Sequence, residues 1–157
     1  MSSFPPENPQ IANQDLTAQT LHIPLIAGYR PDGEGIVEQV AVTPVDAVSN
    51  SSPTKTATTH YRLVRSPAFV RGLAAGDKVS FPSKSAQGYE LIQRSGNLCL
   101  RVLRKNDIDE VLQFLTPEIE LIDGILDVET PRLLVYSIHV SIGFQAIEQL
   151  LDRITGL

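Results

Sequence analysis

Residues 98–154 read LCLRVLRKNDIDEVLQFLTPEIELIDGILDVETPRLLVYSIHVSIGFQAIEQLLDRI, and their periodicity decides the fold. Leu98, Leu100 and Val102 alternate with Cys99, Arg101 and Leu103, the two-residue period of a strand. Ile108, Val111, Leu112 and Leu115 then recur at helical spacing, with Asp107 placed to cap the helix and Glu110 three residues on. Pro117 is expected to interrupt or restart that helix, and Asp123-Gly124 to end the segment. Ile125–Glu129 and Leu133–Val140 read as strands around Thr130-Pro131. Ser141 can cap a last helix striped by Phe144, Ile147, Leu150, Leu151 and Ile154. The order is strand, helix, strand, strand, helix, a split-βαβ arrangement like much of a ferredoxin-like unit.

Upstream the chain is rich in strands. Leu21–Ala27 and Ile36–Thr43 flank Pro31-Asp32-Gly33-Glu34-Gly35, a cluster of turn formers, and Pro24 directs the first strand to a sheet edge. Further strands are expected at His60–Arg65, Lys78–Phe81 and Gly88–Gln93. Pro67 should end the first of these, and Phe69 should anchor the following turn in the core. Gly72 and Gly76 should supply positive backbone dihedrals, while Asp77 bonds nearby amides. The expected class is α+β: a β-rich half over 21–96 and a split-βαβ half over 97–157, forming one domain over 21–157. Residues 1–20 are expected to be a flexible tail, and the Ser/Thr/Asn-rich stretch 47–59 a mobile connection.

Composition excludes several classes. With 157 residues, 42% hydrophobic and 20% charged, the chain can bury a core of its own. It has no apolar run of membrane-spanning length, and Met1–Gln10 lacks the basic and apolar stretches of a secretory signal, so the expectation is a cytoplasmic protein. A single cysteine, Cys99, cannot form an internal disulfide or a cysteine-based zinc site. The net charge of −5 is unevenly spread: residues 55–105 carry ten Lys or Arg against two acids, whereas 1–54 and 106–157 are acidic. A basic face could attract an acidic partner, phosphate or RNA; pairing of the basic middle with the acidic C-terminal part is the simpler account.

The residue types offer little catalysis. Gly33-Glu34-Gly35 and the Gly72–Gly76 run lack the spacing and following helix of a phosphate loop. His22, His60 and His139 are far apart in sequence, so no metal site and no cofactor are expected. Cys99 and His139 would be the nearest nucleophile and base, although a small buried thiol and a hydrogen-bonded histidine are the plainer readings. Asp127 and Glu129 share a strand face and should be solvated.

The runs Tyr61-Arg62-Leu63, Ser66–Val79 and Ser95-Gly96-Asn97-Leu98-Cys99-Leu100-Arg101-Val102 resemble a bacterial family of unknown function, DUF4265. The shared features are a proline-x-aromatic segment, glycine-leucine-alanine, glycine-aspartate, and a serine-glycine turn into an arginine-bearing strand. Many members carry a tryptophan in the strand before this run, where Tyr61 or a neighbour stands here. The resemblance implies a small stand-alone cytoplasmic protein and brings no reaction or functional residues with it. The leading functional expectation is a non-enzymatic protein-binding module, immunity-like or regulatory, contacting an unknown protein partner through Arg62, Arg65, Arg71 and Lys78. The alternatives are a small-molecule binder or enzyme with a pocket between the two halves, and RNA binding through residues 55–105. Nucleic acid is the weaker expectation because few aromatics accompany the basic residues, and no membrane partner is expected.

Overall fold

A computed structural model describes residues 19–45 and 59–155. Most of the expected tail and connection, 1–18 and 46–58, therefore lies outside the described residues. β1 (Leu21–Tyr29) and β2 (Gly35–Val45) form an antiparallel hairpin. Its turn is closed by Arg30 N–H to Glu34 O at 2.8 Å and held by Asp32, whose carboxylate accepts the Glu34 N–H at 2.9 Å. β3 (His60–Leu63), β4 (Lys78–Ser80) and β5 (Glu90–Gln93) continue the meander, giving a five-stranded antiparallel sheet in the order β1-β2-β3-β4-β5. Pro24 lies on an edge strand, where its missing N–H costs no ladder bond.

The C-terminal half contains β6 (Asn97–Leu103), α1 (Ile108–Leu121), β7 (Ile125–Glu129), β8 (Leu133–His139) and α2 (Phe144–Thr155). The sheet order is β6-β8-β7, with β8 antiparallel to both neighbours. β6 and β7 therefore run parallel with β8 inserted between them, which is a split βαβ unit followed by a helix. The fold is α+β, with the strand-rich half and the strand-helix half both formed as the periodicity implies.

Each sheet has its own core. Leu98, Leu100 and Val102 pack with α1 and α2 over Leu134, Tyr136 and Ile138 of β8, and Leu115 and Ile119 are fully buried there. Val40, Val42, Leu63 and Val79 form the second core with Val70 and Leu73 from the segment between β3 and β4.

Three local expectations are corrected. α1 runs through Pro117 without a break. A proline inside a helix costs about 3 kcal/mol, but burial of Val111, Leu115 and Ile119 on one stripe contributes about 1.5–3 kcal/mol for each side chain. Asp107 sits at φ 58° in the left-handed region, and its carboxylate makes no capping bond; the first turn is instead closed by Glu110 N–H to Asp107 O. Ser141 does not cap α2, which starts at Phe144 after a 3-10 turn over Val140–Ile142. His139 takes the capping role for that turn, its Nδ1 accepting the Ser141 N–H at 3.1 Å.

Candidate functional site

Residues 64–77 join β3 to β4 without regular structure, yet Ser66, Val70, Leu73, Ala74 and Asp77 are buried. An irregular segment placed inside a protein must satisfy its backbone groups with side chains. On one side Val70 and Leu73 pack on the first sheet, and Glu38, on the same strand face as Val40 and Val42, presents its carboxylate to the segment. Oε1 accepts the Ala68 N–H at 2.5 Å, and Oε2 accepts those of Phe69 and Val70, each at 2.9 Å.

From the other sheet, Arg101 reaches the carbonyls of the same bend. Its Nε donates to Ala68 O at 2.8 Å and its Nη2 donates to Pro67 O and Val70 O, each at 2.9 Å. The bend is therefore gripped at its amides by a carboxylate and at its carbonyls by a guanidinium, each matched in charge to the groups it binds. Because this grip is polar, Phe69 is left 56% exposed, and the expectation that it anchors the core is overturned; Val70 and Leu73 do that instead.

A second cluster fastens the start of the segment. β7 carries a bulge between Leu126 and Val128, so Asp127 departs from simple strand alternation. Its Oδ2 accepts the Ser66 N–H at 2.9 Å and the hydroxyl of Ser137, while the hydroxyls of Ser66 and Ser137 lie 2.6 Å apart. Asp127 is thus a bonded, half-buried group and not the solvated acid expected from its alternation with Glu129. At the far end of the segment Asp77, 1% exposed, accepts from Ala74 N–H at 3.0 Å and Ser95 N–H at 2.8 Å. Gly72 and Gly76 take φ of +82° and +81°, as the reversal requires.

Ser66, Ser137 and Asp127 are the residue types of a nucleophile relay, but Ser66 is fully buried and its Oγ also accepts the Ala75 N–H at 2.9 Å. The arrangement is a clamp between the two sheets. No buried side-chain nitrogen or oxygen among the described residues lacks a hydrogen-bond partner.

Cys99 and His139 are not joined. In the β6–β8 register Cys99 faces Ser137 and His139 faces Asn97. The Cys99 sulfur lies 3.9 Å from Pro67 O, whereas His139 Nδ1 is engaged by Ser141 and its Nε2 would be 2.7 Å from any Cβ placed on Gly96. Burial raises the Cys99 pKa above the usual 9.0, outweighing the lowering by Arg101 and by the Ser66 hydroxyl. A thiol favoured in its neutral form is a poor nucleophile at pH 7. Ellman's reagent is expected to label native Cys99 more slowly than the unfolded chain; equal rates would contradict the burial. Since the folded pKa lies above the unfolded one, the stability from keeping this thiol neutral is complete below pH 9 and is lost as pH rises through the folded value.

The four cations selected from sequence are only partly brought together. Arg62 and Lys78 are direct cross-strand partners on β3 and β4, so their side chains share the face opposite Tyr61 and Val79. Arg62 Nη1 also donates to Gly76 O at 3.0 Å. Arg65 lines a cleft of about 200 Å³ between the two halves with Glu38, Ser66 and Val128, smaller than a typical ligand pocket. Arg71 lines a separate cleft of about 430 Å³ with Ile26, Tyr29 and Tyr89. None of the four forms an ion pair with a described residue.

Glu38, Arg101 and Asp127 were not singled out from sequence as a cluster. A carboxylate on the same strand face as Val40 and Val42 was the available signal for Glu38; the bulge that redirects Asp127 left none.

No helix among the described residues is long and apolar enough to cross a membrane. No curated protein matches the chain. The fold is similar to that of a hypothetical protein from Neisseria gonorrhoeae known from a crystal structure, with a TM-score of 0.57 at 15% identity, covering 89% of this chain and 88% of that one. The model of the family described as a domain of unknown function, DUF4265, matches residues 52–156, which include the 64–77 segment, Arg101, Asp127 and Ser137, and the chain belongs to that family.

Proposed function

We propose that this protein is a cytoplasmic, non-enzymatic binding module, immunity-like or regulatory, whose single domain over 21–157 engages an acidic protein partner through the exposed Arg62, Arg65 and Arg71 and the half-buried Lys78. The Arg62–Lys78 pair carries the reading. Like charges directly opposite on adjacent strands destabilise a sheet, and no described acid neutralises these two. An acidic partner would relieve that repulsion, and rim cations of this kind also steer association. The polar groups at the junction support the same reading, because Glu38, Arg101, Asp127 and Asp77 are engaged in holding backbone.

Lys78→Glu separates binding from folding. It converts a repulsive cross-strand pair into an attractive one while leaving the Arg62–Gly76 bond, and should raise stability by about 0.2–1 kcal/mol. Reversal of Arg62, Arg65, Arg71 and Lys78 together to Glu should abolish capture of the partner in a pull-down while the circular dichroism spectrum is retained. Equal capture by the folded variant would end this reading.

A further inference from the structure

We infer that β6 is a docking edge for an extended, acidic segment of a partner protein, which would add as a fourth strand to the β6-β8-β7 sheet. The hydrogen-bond pattern identifies the free groups. Arg104 N–H bonds Arg132 O at 2.9 Å and Val140 N–H bonds Gly96 O at 2.9 Å. With the register Asn97↔His139 to Leu103↔Leu133, the even-numbered residues of β6 face β8 and the odd-numbered ones face away. The N–H and C=O groups of Cys99, Arg101 and Leu103 point out of the sheet, and none has a hydrogen-bond partner among the described residues. β6 is only partly covered along its length, unlike the buried β8.

The other edges carry features that discourage pairing. β1 has Pro24 and a bulge between Ile26 and Gly28, β7 has five residues and a bulge at Asp127, and β5 has four residues. β6 has seven residues in unbroken register and no proline. A row of unpaired groups on a regular strand is the template used in strand addition.

Charge selects the occupant. At the C-terminal end of β6, Leu103, Arg104, Lys105 and Arg132 line an opening of about 370 Å³, and Leu103 is 72% exposed. Arg104 is partly engaged by Glu110 at 3.7 Å, whereas Lys105 and Arg132 form no ion pair with a described residue. In an antiparallel pairing of two copies of β6 centred on its outward-facing middle, Arg101 would stand directly opposite Arg101 of the other copy, a like-charge contact that disfavours self-pairing. An incoming strand with an apolar side chain opposite Leu103 and carboxylates beyond it meets both features. This surface lies on a different sheet from the Arg62–Lys78 pair, so the two can be tested separately.

The test is amide-resolved NMR on the full-length protein with a capped peptide of alternating glutamate and valine, about seven residues long to match β6. It should shift the Cys99, Arg101 and Leu103 amide signals and slow their exchange with solvent, and a lysine–valine peptide of the same length should not. Lys105→Glu with Arg132→Glu should weaken binding by about tenfold, whereas Lys78→Glu should leave it unchanged. The proposal is overturned if the three amides are already protected in the free protein, if both peptides act alike, or if protection rises with protein concentration alone, which would signal self-pairing.

Discussion

Arg101→Ala is expected to destabilise the protein by about 3 kcal/mol and to lower its melting temperature by about 6–12 °C. The guanidinium donates to three carbonyls of one bend, and truncation removes charge-assisted bonds and leaves those carbonyls without a donor. Water can reach part of the vacated space, since Arg101 is half-buried, and this keeps the loss below the sum of the separate bonds. Arg101→Lys should recover only a minor part, because one ammonium cannot span the carbonyls that the planar fork reaches together. The test is thermal unfolding of both variants; a lysine variant as stable as the parent would show that charge alone, and not the fork, holds the bend.

Asp77→Ala should cost about 2–5 kcal/mol, through a different mechanism. Its carboxylate is buried, with one oxygen on the Ala74 amide and the other on the Ser95 amide, so truncation strands two donors at either side of the Gly76 reversal. Asp77→Asn should be nearly as harmful, since its NH₂ group would face one of those N–H donors. Urea denaturation resolves this: a wild-type midpoint for Asp77→Asn would contradict the two-acceptor role.

Much of this architecture is legible in the chain itself. The alternation of Leu98, Leu100 and Val102, and the helical recurrence of Val111 and Leu115, report which face is buried, because both are local periods imposed by backbone geometry. The same logic fails where long-range packing overrides a local rule. Pro117 reads as a break, but the burial of Leu115 and Ile119 on β8 carries α1 through it. Asp107 has the right type and spacing for a cap, but its left-handed backbone turns the carboxylate away. Asp127 reads as solvated by alternation, and only the bulge in β7 brings it to Ser66, a partner 61 residues distant in sequence.

The junction was the least legible part. Arg101 and Glu38 act on a segment that neither adjoins in the chain, and no periodicity links residues 38, 66–70 and 101. Asp77 was readable because its first partner lies three residues away. For the outward-facing residues, the strand pairing that places Arg62 beside Lys78 depends on the β3–β4 register, which the residues between 64 and 77 set from a distance.

Residues 64–77, though irregular, are held between the two sheets as firmly as a strand. Native-state hydrogen exchange on the Ala68, Phe69, Val70 and Ala75 amides measures this, with Leu134 and Tyr136 of β8 as internal standards and the exposed Asp32 amide of the hairpin turn as the mobile reference. These amides, including that of the exposed Phe69, are expected to exchange with opening free energies within about 1 kcal/mol of the β8 amides. Exchange as fast as that of Asp32 would show instead that the segment opens freely.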